Sequence, residues 1–113
     1  MQPSMIFYRI VRWLEMIFKI NMMIQLIFCH LIGDYVLQID FIAKSKGVNM
    51  YHMFVHCALY CVPFYFVYGV SWQLAFIFAT HVIVDLLKAK YEKIDYKTDQ
   101  ILHYITLLIV WLI

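Results

Sequence analysis

The sequence predicts an all-α membrane protein: a four-transmembrane-helix bundle preceded by an amphipathic helix in the membrane interface. Of its 113 residues, 65% are hydrophobic, only 14% are charged, and the apolar residues form four long stretches. Soluble domains are nearer half apolar and a quarter charged, and a soluble fold of this size cannot bury so much apolar surface. A net charge of +2 leaves no basic face to follow phosphates, so nucleic-acid binding is excluded.

The amphipathic helix is predicted in residues 1–20, ahead of a membrane domain in residues 21–113. Arg9, Arg12, Glu15 and Lys19 recur at intervals of three or four among large apolar residues. This spacing gives a helix with one polar stripe, which is typical of a helix that lies in the membrane surface. The alternative is a helical extension that packs on a partner.

The four spans of the membrane domain are delimited by polar residues and helix-capping residues. Asn49 and Ser71 are typical N-caps, and Pro63 is expected to kink the second span. The fourth span has about 15 residues and reaches only ~22 Å, so it needs thinned membrane or shielding by protein. The predicted spans are residues 22–43, 49–68 (or from 51), 72–90 and 98–113, the last capped by Thr98 or Asp99.

The distribution of lysines predicts the orientation in the membrane. The loops at residues 44–47 and 88–97 carry six lysines, whereas the loop after the second span and the C-terminus carry none. Cytoplasmic loops are enriched in lysine and arginine, so these two loops are expected in the cytoplasm. The three basic residues of the N-terminal helix favour the opposite orientation.

Two segments, CHLIGDYVL (29–37) and THVIVDLLK (80–88), share the pattern H-[LV]-I-x-D. A lysine pair spaced K-x-K follows or closes each segment, and the next span then begins with polar residues one turn apart. Two parallel helical-hairpin repeats, related by a pseudo-twofold axis along the membrane normal, explain this pattern. A chance match of so short a motif is the alternative.

Every predicted span carries two polar residues four positions apart, and such residues share one face of a helix. An outward face would place charge in lipid, so these faces are expected to point inward. All of them lie in the half of the membrane nearest the lysine loops, which predicts that they converge on one layer of the bundle. The pairs are His30 with Asp34, His52 with His56, His81 with Asp85, and Asp99 with His103.

An ionisable residue inside a span is costly and is a candidate functional residue. Asp34 and Asp85 are embedded, and no lysine or arginine lies within an apolar stretch to neutralise them. Imidazole and carboxylate groups are the usual ligands of zinc, iron and manganese, and bundles assemble metal sites from facing helices. The predicted ligands of a divalent metal are His30, Asp34, His56, His81, Asp85, Asp99 and His103.

Seven ligands are too many for one zinc ion, so some would hold the ligands in place or the site would contain two metals. Gln38, Gln100 and His52 are predicted to hydrogen-bond the ligands or a substrate. The alternative for each His–Asp pair is a purely structural hydrogen bond. Asp99 is also a plausible N-cap, and His52 is more typical of a solvated histidine at the membrane edge.

Three motifs resemble the small bacterial and phage membrane proteins of the domain-of-unknown-function 3307 (DUF3307) family, over about residues 24–113. They are H-x-x-G-D-[FY]-x-L-Q, H-x-x-x-D-x-x-K and D-Q-x-x-H. They fall on His30, Gly33, Asp34, Leu37 and Gln38; on His81, Asp85 and Lys88; and on Asp99, Gln100 and His103. The resemblance implies a protein of the bacterial inner membrane with these site residues, and it implies no particular reaction.

The sequence thus favours an integral membrane protein that binds a divalent metal and hydrolyses a membrane-associated substrate, with Asp34 or Asp85 as general base. A metal with an open position supplies the nucleophile for such a reaction by lowering the pKa of bound water. One rival is a proton or metal-ion carrier, and another is a non-catalytic interaction protein, such as a phage-type host-membrane factor, with a structural polar network. The lipid bilayer, and a homo-oligomer or a membrane-protein partner, are the expected partners.

Overall fold

The computed structural model describes residues 2–113, and all regular secondary structure in that range is helical. The predicted all-α class is therefore confirmed. Two π-helical turns, Ile32–Val36 and Leu86–Lys90, continue the helices that end at Leu31 and Asp85. The helices are α1 (Met5–Leu31), α2 (Asp40–Ser45), α3 (Met50–Tyr68), α4 (Trp72–Asp85) and α5 (Tyr96–Leu112).

Three helical segments are long and apolar enough to cross a membrane: Met5–Val36, Met50–Tyr68 and Trp72–Lys90. Helix α5 has 17 residues and reaches about 26 Å, less than the ~30 Å of a bilayer core. Its first turns also carry Lys97 and Asp99. Three candidate spans are thus present in the described residues, and the fourth remains a prediction.

Helix α1 differs from the predicted first span at both ends. It begins at Met5, with the Ser4 hydroxyl accepting from the Phe7 N–H at 3.2 Å, and runs unbroken past residue 20. The expected end at Ala43 is wrong, because the chain leaves the helix after Val36 and a new helix begins at Asp40. At this break the Gln38 amide donates to the main-chain carbonyl of Asp34 at 3.3 Å, which satisfies a carbonyl at the helix end.

The N-terminal arm, residues 5–18, extends beyond the bundle. At the far end of α5, the Trp111 indole N–H donates to the Lys19 carbonyl of α1 at 2.7 Å. The molecule is correspondingly long, 65 × 24 × 22 Å. Large apolar side chains of the arm are exposed, including Met5, Trp13 and Phe18. The predicted location of this helix in the membrane surface stays a prediction.

Helices α1, α3, α4 and α5 pack together around an apolar core in the half of the bundle nearest the arm. Helices α1 and α4 run away from this half, and α3 and α5 run toward it. The opposite half therefore collects the C-terminal ends of α1 and α4 and the N-terminal halves of α3 and α5. The core residues are Leu26, Cys29, Tyr60, Cys61, Phe64, Ile77, Leu107 and Val110.

The predicted N-cap residues are confirmed for two of the three helices for which the sequence predicts one. The Asn49 side chain accepts from the N–H groups of Tyr51 and His52, and the Ser71 hydroxyl accepts from that of Leu74. The predicted cap of the last helix at Thr98 or Asp99 is wrong. Asp95 fills this role, with its carboxylate accepting from the Thr98 N–H at 2.8 Å, because α5 begins at Tyr96, before either predicted cap.

Replacing Asp95 by alanine is expected to loosen the first turn of α5, because the carboxylate satisfies an N–H that has no partner within the helix. The backbone hydrogen bond from Thr98 lowers the pKa of Asp95. Its contribution is therefore complete at neutral pH and is lost as the pH falls below the ordinary carboxyl range. Hydrogen exchange of the first-turn amides would show this, and Asp95→Asn, which keeps an acceptor, is the control. Equal protection in the alanine variant and the wild type would contradict it.

Candidate metal centre

The structure brings all seven predicted metal-ligating residues into one buried group, which we call the His/Asp cluster. Each is at most 6% exposed. His30 lies at the end of α1, and Asp34 lies in the π-turn that follows it. His81 and Asp85 lie at the end of α4, directly before the second π-turn. The members are His30, Asp34, His56, His81, Asp85, Asp99 and His103.

Four cluster residues from three helices offer ligand atoms to one point. One atom each of Asp34, His56, His81 and Asp85 lies within 4.8 Å of all the others. His56 Nε2 is 2.8 Å from Asp85 Oδ2 and 3.0 Å from His81 Nε2. Asp34 Oδ1 is 3.6 Å from His56 Nε2 and 4.0 Å from His81 Nε2. Ligands bound at 2.0–2.2 Å to one tetrahedral ion lie about 3–4 Å apart, so these atoms fit a common metal.

The cluster continues across the bundle to α5. His103 Nε2 lies 3.4 Å from Asp85 Oδ1 and 3.3 Å from Asp99 Oδ1. All three atoms are buried, and none has a hydrogen-bond partner among residues 2–113. Buried polar atoms are nearly always satisfied in folded proteins, so this side of the cluster has capacity for a further ligand.

His30 is held by neutral partners on both sides of its ring. The Gln100 amide donates to Asp34 Oδ2 at 2.9 Å and to Asp99 Oδ2 at 3.1 Å, so its carbonyl accepts from His30 Nε2 at 2.9 Å. His30 Nδ1 then accepts from the Tyr60 hydroxyl at 2.8 Å. With both nitrogens engaged, His30 is better placed to orient Gln100 and Tyr60 than to bind metal.

Two lysines reach the cluster, which corrects the expectation that no embedded cation neutralises its aspartates. Lys46 is 3% exposed, and its ammonium group donates to Asp85 Oδ2 and Gln38 Oε1, both at 2.7 Å. Lys88 lies 3.4 Å from Asp99 Oδ2. In the sequence, Lys46 lies in the loop at residues 44–47, outside the apolar stretches. The α2–α3 connection instead passes close to the second π-turn, where a Cβ on Gly47 would collide with the Ala89 carbonyl.

Tyr60 is buried against the cluster. Its side chain is 2% exposed, and its ring stacks on that of His81 with the centroids 3.6 Å apart. Tyr60 follows His56 by four residues, so the same helical spacing that identified the histidine could have identified the tyrosine. The Gln100 amide donates to Asp34 and Asp99, and the Gln38 amide donates to the Asp34 main chain. His52 instead pairs with the Ser45 hydroxyl at 2.6 Å.

The comparison with known protein families decides the classification. The family described as "Protein of unknown function (DUF3307)" matches residues 22–113. The chain belongs to the DUF3307 family. This confirms the family that the three motifs predicted. The DUF3307 region contains the whole His/Asp cluster with Lys46, Tyr60 and Lys88, and the N-terminal arm precedes it. No curated protein and no solved structure shows a significant match.

Proposed function

We propose that this DUF3307 protein is an integral protein of the bacterial inner membrane and binds a divalent metal ion in the His/Asp cluster. Three helices have the length and apolar composition for spanning, and the outward faces of the bundle carry exposed apolar side chains such as Phe28, Phe54 and Ile83. In this arrangement the segments at residues 44–47 and 88–97 face the cytoplasm, as the positive-inside rule favours. The cluster then lies in the cytoplasmic half.

The observation that carries the metal site is the convergence of four buried ligand atoms on one point. Asp34, His56, His81 and Asp85 form a donor set of two imidazoles and two carboxylates, which suits zinc, iron or manganese. The Lys46 ammonium group does not exclude a metal, because a carboxylate oxygen has two lone pairs and can accept from lysine while it binds an ion. Lys46 and Gln100 hold the aspartates in position, as groups around metal ligands do.

We propose that the bound metal serves hydrolysis of a membrane-associated ester or phosphoester. A divalent ion with an open coordination position supplies a nucleophile by lowering the pKa of a bound water. Of the two aspartates, Asp34 is the better candidate for contact with a substrate. Asp85 is 1% exposed and is engaged by Lys46, whereas Asp34 is the most exposed member of the cluster at 6%.

The apolar core argues against the rival function as an ion carrier. A carrier needs polar groups along the whole path through the membrane. The half of the bundle beyond the cluster is instead filled by core residues that include Leu26, Phe64, Ile77 and Leu107.

Zinc uptake into vesicles is therefore expected to be the same with and without the protein. A zinc indicator trapped in both sets of vesicles measures the uptake.

The metal site is tested by measuring the metal content of the detergent-purified protein by plasma mass spectrometry. The wild type is expected to retain metal through dialysis, and His81→Ala is expected to lose most of it, because it removes one of the four proposed ligands. His52→Ala is the matched control, since it removes a histidine that pairs with Ser45 outside the cluster. The proposal fails if wild-type protein holds no metal after exposure to zinc, iron and manganese.

A further inference from the structure

We infer that the cluster holds a second metal ion beside the first, with Asp34 as the bridge between the two positions. This inference rests on the metal site proposed above. The second position is formed by Asp34, Asp99 and His103, each of which offers one ligand atom within 4.8 Å of the other two. It lies on the side of the cluster that α5 closes, and the first position lies between α1, α3 and α4.

The second position has its own unsatisfied ligand atoms. Asp99 is 0% exposed and His103 is 2% exposed, and Asp99 Oδ1 and His103 Nε2 have no hydrogen-bond partner in the part of the chain described. The other oxygen of Asp99 is held by Lys88 and by Gln100. One carboxylate oxygen is thus fixed by the protein while the other is left free beside an imidazole. This is the arrangement in which surrounding groups orient a metal ligand.

The two oxygens of Asp34 face different groups. Oδ1 is directed to His56 and His81 of the first position, and Oδ2 accepts from Gln100, which also contacts Asp99. The two oxygens of Asp85 also face different groups, since Oδ2 lies near His56 and Oδ1 lies near His103. A carboxylate whose oxygens face two ligand groups is suited to bridge two ions, and the ions of two-metal sites lie about 3.5–4 Å apart.

The charges predict that the two ions bind with unequal affinity. Asp34, Asp85 and Asp99 carry three negative charges, and Lys46 and Lys88 supply two positive charges nearby. One divalent ion already reverses the net charge of the group, so the second ion enters a positive environment. We expect the four-residue position to fill first and the position at His103 to fill at higher metal concentration.

Equilibrium dialysis of metal-free, detergent-solubilised full chain against zinc or cobalt tests the second position. Wild type and His52→Ala are expected to bind about two ions per chain at saturation. His103→Ala and Asp99→Asn are expected to bind about one, and in wild type the two cobalt ions should show exchange coupling by electron paramagnetic resonance that His103→Ala abolishes. Far-ultraviolet circular dichroism establishes that each variant remains folded, and Asp99→Asn provides a near-isosteric variant if His103→Ala is unfolded.

Each result distinguishes the two proposals. Saturation of wild type at about one uncoupled ion, lost in His81→Ala and unchanged in His103→Ala, would overturn the second position and leave the first intact. No binding of either metal would overturn both. Loss of all binding in His103→Ala, with helix content preserved, would also contradict two positions that fill in sequence, because the first position does not use His103.

Discussion

Replacing Lys46 by methionine is expected to destabilise the metal-free protein by about 3–5 kcal/mol, because it leaves a buried carboxylate without its cation. The Lys46 ammonium group lies 2.7 Å from Asp85 Oδ2, and the two side chains are 4% and 1% exposed. Neutralising one member of a buried ion pair removes the attraction but retains the cost of burying the other. Reversible unfolding in mixed detergent, followed by circular dichroism, measures the change.

Lys44→Met is the matched control, since Lys44 is exposed two residues away, and it should change stability by less than about 0.5 kcal/mol. The double variant Lys46→Met/Asp85→Leu should recover part of the loss, because it removes both charges. Zinc should stabilise Lys46→Met more than it stabilises wild type, since a divalent ion replaces the missing cation. Equal stabilities of the Lys44 and Lys46 variants would show that Asp85 does not depend on Lys46.

Gly33→Ala is the second change expected to have a large effect. A Cβ at position 33 would lie 2.7 Å from the main-chain oxygen of Tyr60 and 2.8 Å from Cδ2 of its ring. Main-chain atoms cannot move aside as a flexible side chain can, so α1 must shift away from α3. Overpacking of this kind costs about 1–3 kcal/mol, and the shift displaces Asp34 and His30 from their partners on α3.

We therefore expect Gly33→Ala to lose both stability and metal, although it removes no ligand. Unfolding in detergent and metal content after dialysis measure the two effects on one sample. Leu31→Ala is the control, because it changes an exposed side chain on the same helix. A Gly33→Ala protein that keeps the metal affinity of wild type would show that the close approach of α1 to α3 does not position the cluster.

Helical periodicity and the cost of embedded charge were sufficient to predict which residues form the cluster. His81 and Asp85 lie four residues apart in an otherwise apolar helix. Because exposing both side chains to lipid would be costly, they are expected to face the interior of the protein. Asp99 and His103 follow the same rule at the start of α5. The structure places the two pairs side by side, with 3.4 Å between His103 Nε2 and Asp85 Oδ1.

Helical periodicity could not predict contacts that depend on the path of the segments connecting the helices. Lys46 lies outside the apolar stretches, and it reaches Asp85 because α2 and the following turn fold back against the second π-turn. The break at residues 37–39 has no proline or glycine of its own to signal it. It coincides with a π-turn and with the hydrogen bond from the Gln38 side chain to the Asp34 carbonyl, and helical periodicity predicts neither of these features.

The two π-turns also determine which sequence changes the cluster can tolerate. A π-turn contains one residue more than an α-helical turn needs. Deleting one residue between Asp85 and Lys88 would move the lysine from three residues after Asp85 to two. This changes the direction of its side chain around the helix and would withdraw its ammonium group from Asp99. Substitutions at Leu86 or Leu87 leave this phase unchanged. The spacing of these segments, more than the identity of their apolar residues, keeps aspartate and lysine on their respective sides of the helix.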